Sequence, residues 1–146
     1  MKTSLLLALL GLALAGQARA EPTWSTDLAA AKAQAAKENK KLLLDFTGSD
    51  WCGYCMKLNA EVFTTPEFAT FAKAYVLVRL DYPRKKELPA AEKEQNDALQ
   101  RRYKIEGFPT LIVIDDTGRE IRRAEGYDPG SGPTAFLGQL AESPKR

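Results

Sequence analysis

The pentapeptide Trp51-Cys52-Gly53-Tyr54-Cys55 contains both cysteines of the chain, with two residues between them. We expect a helix to begin near Cys52, where the free N–H groups and the partial positive charge of a helix start stabilise a thiolate and lower its pKa. Cys55 lies one turn further on, so it is expected to be less exposed and to act as the resolving thiol. This spacing favours a reactive pair that closes a small disulfide.

Two other uses of the cysteine pair are a structural staple and a metal site. A disulfide across a four-residue loop contributes only about 2 kcal/mol in a chain-entropy estimate, and a chain of this length can bury a sufficient core without it. A closed zinc or iron–sulfur site needs four ligands, whereas the chain has two cysteines and no histidine. Redox chemistry is therefore the favoured interpretation, with no metal ligands predicted.

The absence of histidine limits the chemistry around this pair. It excludes Ser-His-Asp and Cys-His catalysis, and it removes the imidazole that serves as a switch near neutral pH. Any acid or base that serves the cysteines must therefore be a carboxylate, a lysine, a tyrosine or water.

The first twenty residues have the three-part pattern of a secretory signal peptide. A positive start with Lys2 precedes an apolar run over residues 5–16, and Ala18-Arg19-Ala20 predicts cleavage before Glu21. Twelve apolar residues are too few to cross a bilayer, so no stable membrane anchor is expected. Loss of Lys2 and Arg19 from 21 basic residues leaves 19 against 19 acidic ones. This zero net charge gives no indication of nucleic acid or an anionic membrane as a partner.

The remainder, residues 21–146, has the pattern of one layered α/β domain, in which helices alternate with apolar strands. Residues 83–95, which include the run Arg84-Lys85-Lys86, are expected to form a solvated loop. The first predicted helix is 27–37, with Thr26 or Asp27 as its cap, and the second begins near Cys52. The third begins at Pro66 with Thr65 as its cap, and one of its faces holds Phe68, Phe71, Ala72 and Tyr75. Two more helices are predicted at 96–103 and 134–140. The predicted strands are 42–46, 76–80, 110–114 and 120–124, the last two joined by a turn at 115–118.

Three segments in this order carry a family resemblance: Leu44-Asp45-Phe46, the pentapeptide 51–55, and Gly107-Phe108-Pro109-Thr110. The chain resembles the thioredoxin-like superfamily from about Asp27 to Leu140. It is most similar to exported bacterial thioredoxin-like oxidoreductases and to the C-terminal thioredoxin-like domain of the transmembrane disulfide reductases. The resemblance implies a thioredoxin-like fold with a central mixed sheet flanked by helices.

The resemblance also implies roles for individual residues. Pro109 matches the family's cis proline, which leaves the backbone of Phe108 as a strand edge for an extended substrate. Asp45 matches a buried acid that takes the proton from Cys55. Arg79 falls where thioredoxin has a lysine near that acid.

The remaining implied site residues flank or separate the cysteines. Trp51 is expected to shield Cys52, and Gly53 and Tyr54 to contact substrate. With Phe108, Trp51 and Tyr54 are expected to form an exposed aromatic rim. The segment Thr47-Gly48-Ser49-Asp50 is one residue longer than in ordinary thioredoxin.

We therefore expect a monomeric periplasmic thiol:disulfide oxidoreductase in which the cysteine pair itself is the redox group and no cofactor is needed. Reduction of exported proteins is favoured, with a membrane dithiol donor as partner, because no histidine separates the cysteines. An oxidant or an isomerase is the alternative direction, since Gly-Tyr also occurs in bacterial disulfide isomerases. A different class of function is a thioredoxin-fold module that binds clients without turnover.

Overall fold

The structure is a computed structural model that describes residues 21–141. The predicted signal peptide, residues 1–20, and the last five residues of the predicted domain lie outside this range. Five strands and five main helices occur in the order β1 (Trp24–Ser25), α1 (Leu28–Glu38), β2 (Lys41–Thr47), α2 (Gly53–Leu58), α3 (Pro66–Phe71), β3 (Tyr75–Asp81), α4 (Ala90–Arg102), β4 (Thr110–Ile114), β5 (Glu120–Glu125) and α5 (Gly132–Leu140). A π-helical turn, Asn59–Phe63, extends α2, and a 3-10 turn, Ala72–Ala74, extends α3.

The strands form one mixed sheet in the order β1-β3-β2-β4-β5. β1 and β2 both run parallel to β3, whereas β4 pairs antiparallel with β2 and with β5. The parallel pair β2–β3 is joined through helices, and the antiparallel pair β4–β5 through a short turn, as their geometry requires. The predicted α/β fold with a mixed sheet flanked by helices is confirmed.

The sheet is covered on both faces, which explains the almost continuous apolar sequence of β2. Leu42, Leu44 and Phe46 belong to the core that includes residues of α1 and α4. Leu43 belongs to the opposite core, which includes residues of α2, α3 and α5. Because side chains alternate along a strand, Asp45 lies on the same face as Leu43, beneath the start of α2.

Two predicted helix starts are confirmed in detail. The Asp27 side chain caps α1 by accepting a hydrogen bond from the Ala30 N–H at 3.0 Å. Thr65 caps α3 by accepting from the Phe68 N–H at 3.2 Å, and Pro66 occupies the first turn. Both side chains satisfy N–H groups that have no partner within the helix.

Two predictions about the elements are wrong. α4 begins at Ala90, six residues before the predicted start, because the segment after Pro89 is rich in Ala, Glu, Lys and Gln, which favour helix even where nothing apolar is buried. Tyr75 was expected on the face of α3 but opens β3, after the 3-10 turn has ended that helix.

The two edges of the sheet differ from its apolar centre. β1 is an edge strand of two residues that pairs with Leu77 and Val78, and the sequence pattern did not predict it. β5, at the other edge, has four charged residues among its six.

Within residues 21–141, no helix has the length and apolar character needed to cross a membrane.

Candidate active site

Cys52 and Cys55 form a disulfide at the start of α2, so the structure represents the oxidised form. Cys52 is the N-cap of this helix, and its sulfur accepts a hydrogen bond from the Cys55 N–H at 3.2 Å. The two residues are about equally buried, with 6% and 5% of their surfaces exposed. Position on the helix therefore distinguishes the cysteines in this form, whereas exposure does not.

The loop before the disulfide is fixed to the end of β3 by a buried acid. Asp81 accepts hydrogen bonds from the Ser49 N–H at 2.9 Å and the Ser49 hydroxyl at 2.6 Å. Lys86 forms an ion pair with the same carboxylate at 3.2 Å. These contacts hold the loop that is one residue longer than in ordinary thioredoxin.

A second acid in this loop binds the basic run that follows β3. Asp50 accepts hydrogen bonds from the backbone N–H groups of Arg84 and Lys85 at 2.9 and 2.8 Å, and these bonds lower the pKa of its carboxyl group. The basic side chains are exposed, as predicted. The backbone of this exposed loop is in addition attached to the active-site loop, a contact that the sequence did not predict.

Trp51 is held in a close-fitting site beside Cys52. Its indole N–H donates to the Tyr82 carbonyl at 2.8 Å, and the Arg84 guanidinium carbon lies 3.6 Å from its ring centroid. A Cβ added to Gly48 would lie 2.5 Å from the indole, so only glycine permits this approach. Trp51 thus contributes to a rigid wall of the site.

Phe108 and Pro109 complete this wall from the segment before β4, which lies beside the C-terminal end of β2. The peptide bond between them is cis. The Phe108 ring stacks on Tyr82, 4.9 Å between centroids, and meets the edge of Trp51 at 5.9 Å. Among the described residues, the backbone N–H and C=O of Phe108 have no hydrogen-bond partner, whereas the Pro109 carbonyl accepts from Gly126 at 2.8 Å.

The predicted aromatic rim is only partly present. Tyr54 is 60% exposed, but Trp51 and Phe108 are half-buried against each other. The second exposed large apolar side chain of α2 is Met56, at 46%. Gly53 opens the helix between the cysteines, and a Cβ added there would meet nothing within 4 Å.

Asp45 is 2% exposed in the middle of β2, directly opposite Arg79 of β3. Burial raises the pKa of Asp45 to about 6, although Arg79 opposes this change through its charge and a hydrogen bond. The Arg79 Nε lies 3.3 Å from Oδ2, whereas Oδ1 has no hydrogen-bond partner among the described residues. The predicted proximity of these two residues is therefore present in the structure.

A cavity of about 230 Å³ lies below the disulfide and connects it with this acid; we call it the Cys55 cavity. Asp45 and Cys55 both line it, despite the longer loop. Its other lining residues are Thr47, Ser49, Met56, Asn59, Phe63 and Arg79. Thr47, Ser49 and Asn59 line it beside the carboxylate and provide polar groups to which a water molecule would bind.

One contact of the site was missed by sequence reasoning. The Arg79 guanidinium carbon lies 4.4 Å from the ring centroid of Trp24, a cation–π distance. Trp24 precedes Cys52 by a helix and a strand, so no local motif connects the two residues. An aromatic residue just before the first helix was the only signal available.

Comparison with known proteins identifies the same architecture. Residues 28–141 match the model of a thioredoxin-like domain family. Disulfide bond reductase DsbH of Chlamydia pneumoniae is 35% identical over 75% of this chain and 65% of its own length. Thioredoxin-related protein DsbJ of the same organism is 32% identical over 82% of this chain. The chain spans only 35% of the DsbJ length.

A solved structure, that of a DsbH oxidoreductase, resembles the fold with a TM-score of 0.74. The two sequences are 31% identical, and the match covers 94% of this chain and 90% of the DsbH chain.

Within residues 21–141, no cluster of three or more Cys, Asp or Glu side chains is arranged to hold a metal ion.

Proposed function

This chain belongs to the thioredoxin-like domain family, and on that premise we propose that it is a periplasmic thiol:disulfide oxidoreductase that reduces disulfides of exported proteins. The observation that carries the proposal is the Cys52–Cys55 disulfide capping α2, above a cavity that reaches the buried Asp45. The reductase direction is supported by the similarity to DsbH, which is a disulfide bond reductase. It is also supported by the absence of histidine between the two cysteines.

In the reduced protein, Cys52 is the nucleophile. Its thiolate attacks one sulfur of a substrate disulfide, forming a mixed disulfide and releasing the other substrate sulfur as a thiolate. The N-cap position favours the Cys52 thiolate, because the free N–H groups and dipole of the helix start face its sulfur. No metal or organic cofactor takes part, since the two cysteines carry the two electrons.

Cys55 then resolves the mixed disulfide. The Asp45 carboxylate takes the Cys55 proton, directly or through water in the Cys55 cavity, and the Cys55 thiolate attacks the Cys52 sulfur. The substrate leaves with both sulfurs reduced, and the protein returns to the oxidised form seen here. An acid with a pKa of about 6 suits this role near neutral pH, because it is ionised yet still accepts a proton readily.

An extended substrate segment would pair with the backbone of Phe108. Its N–H and C=O lack partners among the described residues, and the cis Phe108–Pro109 bond lies beside the half-buried Trp51. Two backbone hydrogen bonds hold a polypeptide with little dependence on its sequence. Trp51, Gly53 and Tyr54 would contact the residues around the substrate cysteine.

Continued turnover needs a second dithiol protein that reduces the Cys52–Cys55 disulfide. The predicted signal peptide would place the domain in the periplasm, which is kept oxidising, so electrons must come from the membrane. A membrane-bound dithiol donor is the class of partner we propose. The domain is proposed to act as a monomer.

Insulin reduction coupled to dithiothreitol tests the activity. We expect Cys52→Ser to reduce the rate to that of dithiothreitol alone, because the remaining Cys55 lies inside α2 and lacks the N-cap position that favours a thiolate. Equal rates for the wild type and this variant would refute the enzymatic proposal; client binding by both would then favour the binding module.

The direction is tested separately, by the reduction potential and the Cys52 pKa of the wild type. A reductase requires a potential near that of thioredoxin, about −270 mV. A potential near −120 mV with a Cys52 pKa of about 3.5 would show a strong oxidant and overturn the proposed direction.

A further inference from the structure

Arg79 lies between two partners on neighbouring strands. On one side, Asp45 of β2 is its direct register partner. On the other side, Trp24 of β1 pairs with Leu77, two residues before Arg79 on the same strand, so the indole and the guanidinium lie on one face of the sheet. The arginine side chain can therefore be shared between a carboxylate and an aromatic ring.

The contacts show how it is shared. A guanidinium has five N–H donors and commonly binds a carboxylate through two of them, one to each oxygen. Here only Nε approaches Asp45, at 3.3 Å from Oδ2. The guanidinium carbon lies 4.4 Å from the Trp24 centroid and 5.8 Å from that of Phe63. The guanidinium thus lies against two aromatic rings while a single nitrogen contacts the carboxylate.

The indole is itself fixed by packing. Its ring centroid lies 5.1 Å from that of Phe63 and 5.9 Å from that of Phe68, the latter in a nearly parallel stack. The backbone of Trp24 pairs with β3. Because both ring and backbone are held, Trp24 can restrain a flexible side chain that lies against it.

We propose that Trp24 is a positioning residue, which holds the Arg79 guanidinium to a single contact with Asp45 and so leaves the second carboxylate oxygen without a partner in the Cys55 cavity. Without the indole, the guanidinium is free to turn and bind both oxygens. Full pairing favours the ionised carboxylate and makes Asp45 a weaker base. Trp24 therefore maintains the basicity that Asp45 needs to accept a proton.

Other charged and titratable groups near this acid come from β3, from α2 and from the segment before β1. Asp81 of β3 raises the pKa of Asp45 through its charge, and Arg79 lowers it. Cys55 of α2 lines the same cavity, and Glu21 lines a neighbouring one with Arg79 and Trp24. Of these groups, Arg79 is the one whose charge lies against the Trp24 ring, so the double variant with Arg79 tests whether a change in Asp45 reports on the arginine.

The test is a carbon-13 NMR titration of the Asp45 carboxyl group in the oxidised protein, where the cysteines do not ionise. We expect Trp24→Leu to lower the pKa of Asp45 by about 1, and Arg79→Met to raise it. The double variant should behave like Arg79→Met, because Trp24 acts only through the arginine. Phe71→Leu is the matched control: its ring contacts Phe68 and Tyr75 in the same core, and its titration should equal that of the wild type.

A Trp24→Leu variant with a raised or unchanged Asp45 pKa would overturn the proposal, as would an effect that persists without Arg79. Should Trp24→Leu fail to fold, Trp24→Phe retains a smaller aromatic face and should lower the pKa by less; a raised or unchanged value would again overturn it. The link to turnover rests on the proposed role of Asp45. If the NMR shifts occur but the Cys55 step keeps its pH profile, that role fails while the positioning by Trp24 stands.

Discussion

Replacing Asp45 with asparagine should make the oxidised protein more stable at pH 7. The carboxylate is buried, has one oxygen without a partner among the described residues, and is only singly contacted by Arg79. Asparagine has nearly the same shape as a protonated aspartate and carries no charge. The variant therefore removes the cost of keeping an incompletely compensated charge in the core.

The magnitude follows from the pKa of Asp45, which burial raises from an ordinary 3.8 to about 6. At 1.36 kcal/mol per pH unit this corresponds to about 3 kcal/mol. Below pH 3.8 the carboxyl is protonated in both folded and unfolded states, so its full stability is present. Between pH 3.8 and about 6 the carboxyl group ionises in the unfolded state but stays protonated in the folded state, which favours unfolding. By the time the pH has risen through 6, the wild type has lost about 3 kcal/mol of its free energy of unfolding.

Urea unfolding of the two oxidised proteins at pH 7 and pH 3.5 measures the effect. With slopes of about 1–3 kcal/mol per molar urea, the midpoint of Asp45→Asn should exceed that of the wild type by roughly 1–3 M at pH 7. At pH 3.5 the curves should nearly coincide. A less stable variant at pH 7, or the same gap at both pH values, would refute the reasoning.

Asp81→Asn provides a matched control, since Asp81 is also a buried acid. Its carboxylate accepts two hydrogen bonds from Ser49 and pairs with Lys86, so its replacement should lower stability by about 1–3 kcal/mol. Opposite signs at the two positions would show that the partners of a buried acid, rather than burial alone, decide its effect.

Two further predictions concern the active-site loop. Gly48→Ala should destabilise the protein by about 1–3 kcal/mol in thermal or urea unfolding, because the methyl group collides with Trp51; Gly53→Ala adds its methyl to open space and should have a much smaller effect. Asp50→Ala should speed hydrogen exchange of the Arg84 and Lys85 amides by about tenfold or more, since both lose their acceptor; unchanged exchange would show that Asp50 does not hold this loop.

The sequence predicted those features that depend on local pattern. Alternation of helical and apolar segments gave four of the five strands, and the caps Asp27 and Thr65 have side chains whose chemistry is specific to a helix start. The cysteine pair identified the position of the site because its spacing is itself the signal. Asp45 and Arg79 followed from the family resemblance, and the register of β2 and β3 places them side by side.

Features that depend on distant contacts could not be predicted in this way. β1 has two residues, too few for any periodicity, and it exists because the Trp24 backbone pairs with β3. Asp50 binds the backbone N–H groups of Arg84 and Lys85, which lie more than thirty residues further along the chain. Because almost every residue has a backbone N–H group, no residue type in the loop indicates this contact. Half-burial of Trp51 and Phe108 arises from their contacts with each other, with Tyr82 and with Arg84, which only the folded sheet creates.

The two edges of the sheet have a consequence for behaviour at high concentration. A strand from another molecule finds only two residues in β1, and in β5 it meets a row of glutamates and arginines whose hydration it would have to remove. Short and charged edges are the means by which natural sheets avoid intermolecular pairing and aggregation. A protein proposed to work among incompletely folded polypeptides thereby avoids pairing its edge strands with theirs. The exception is the backbone of Phe108, next to the disulfide, where pairing with a substrate is proposed.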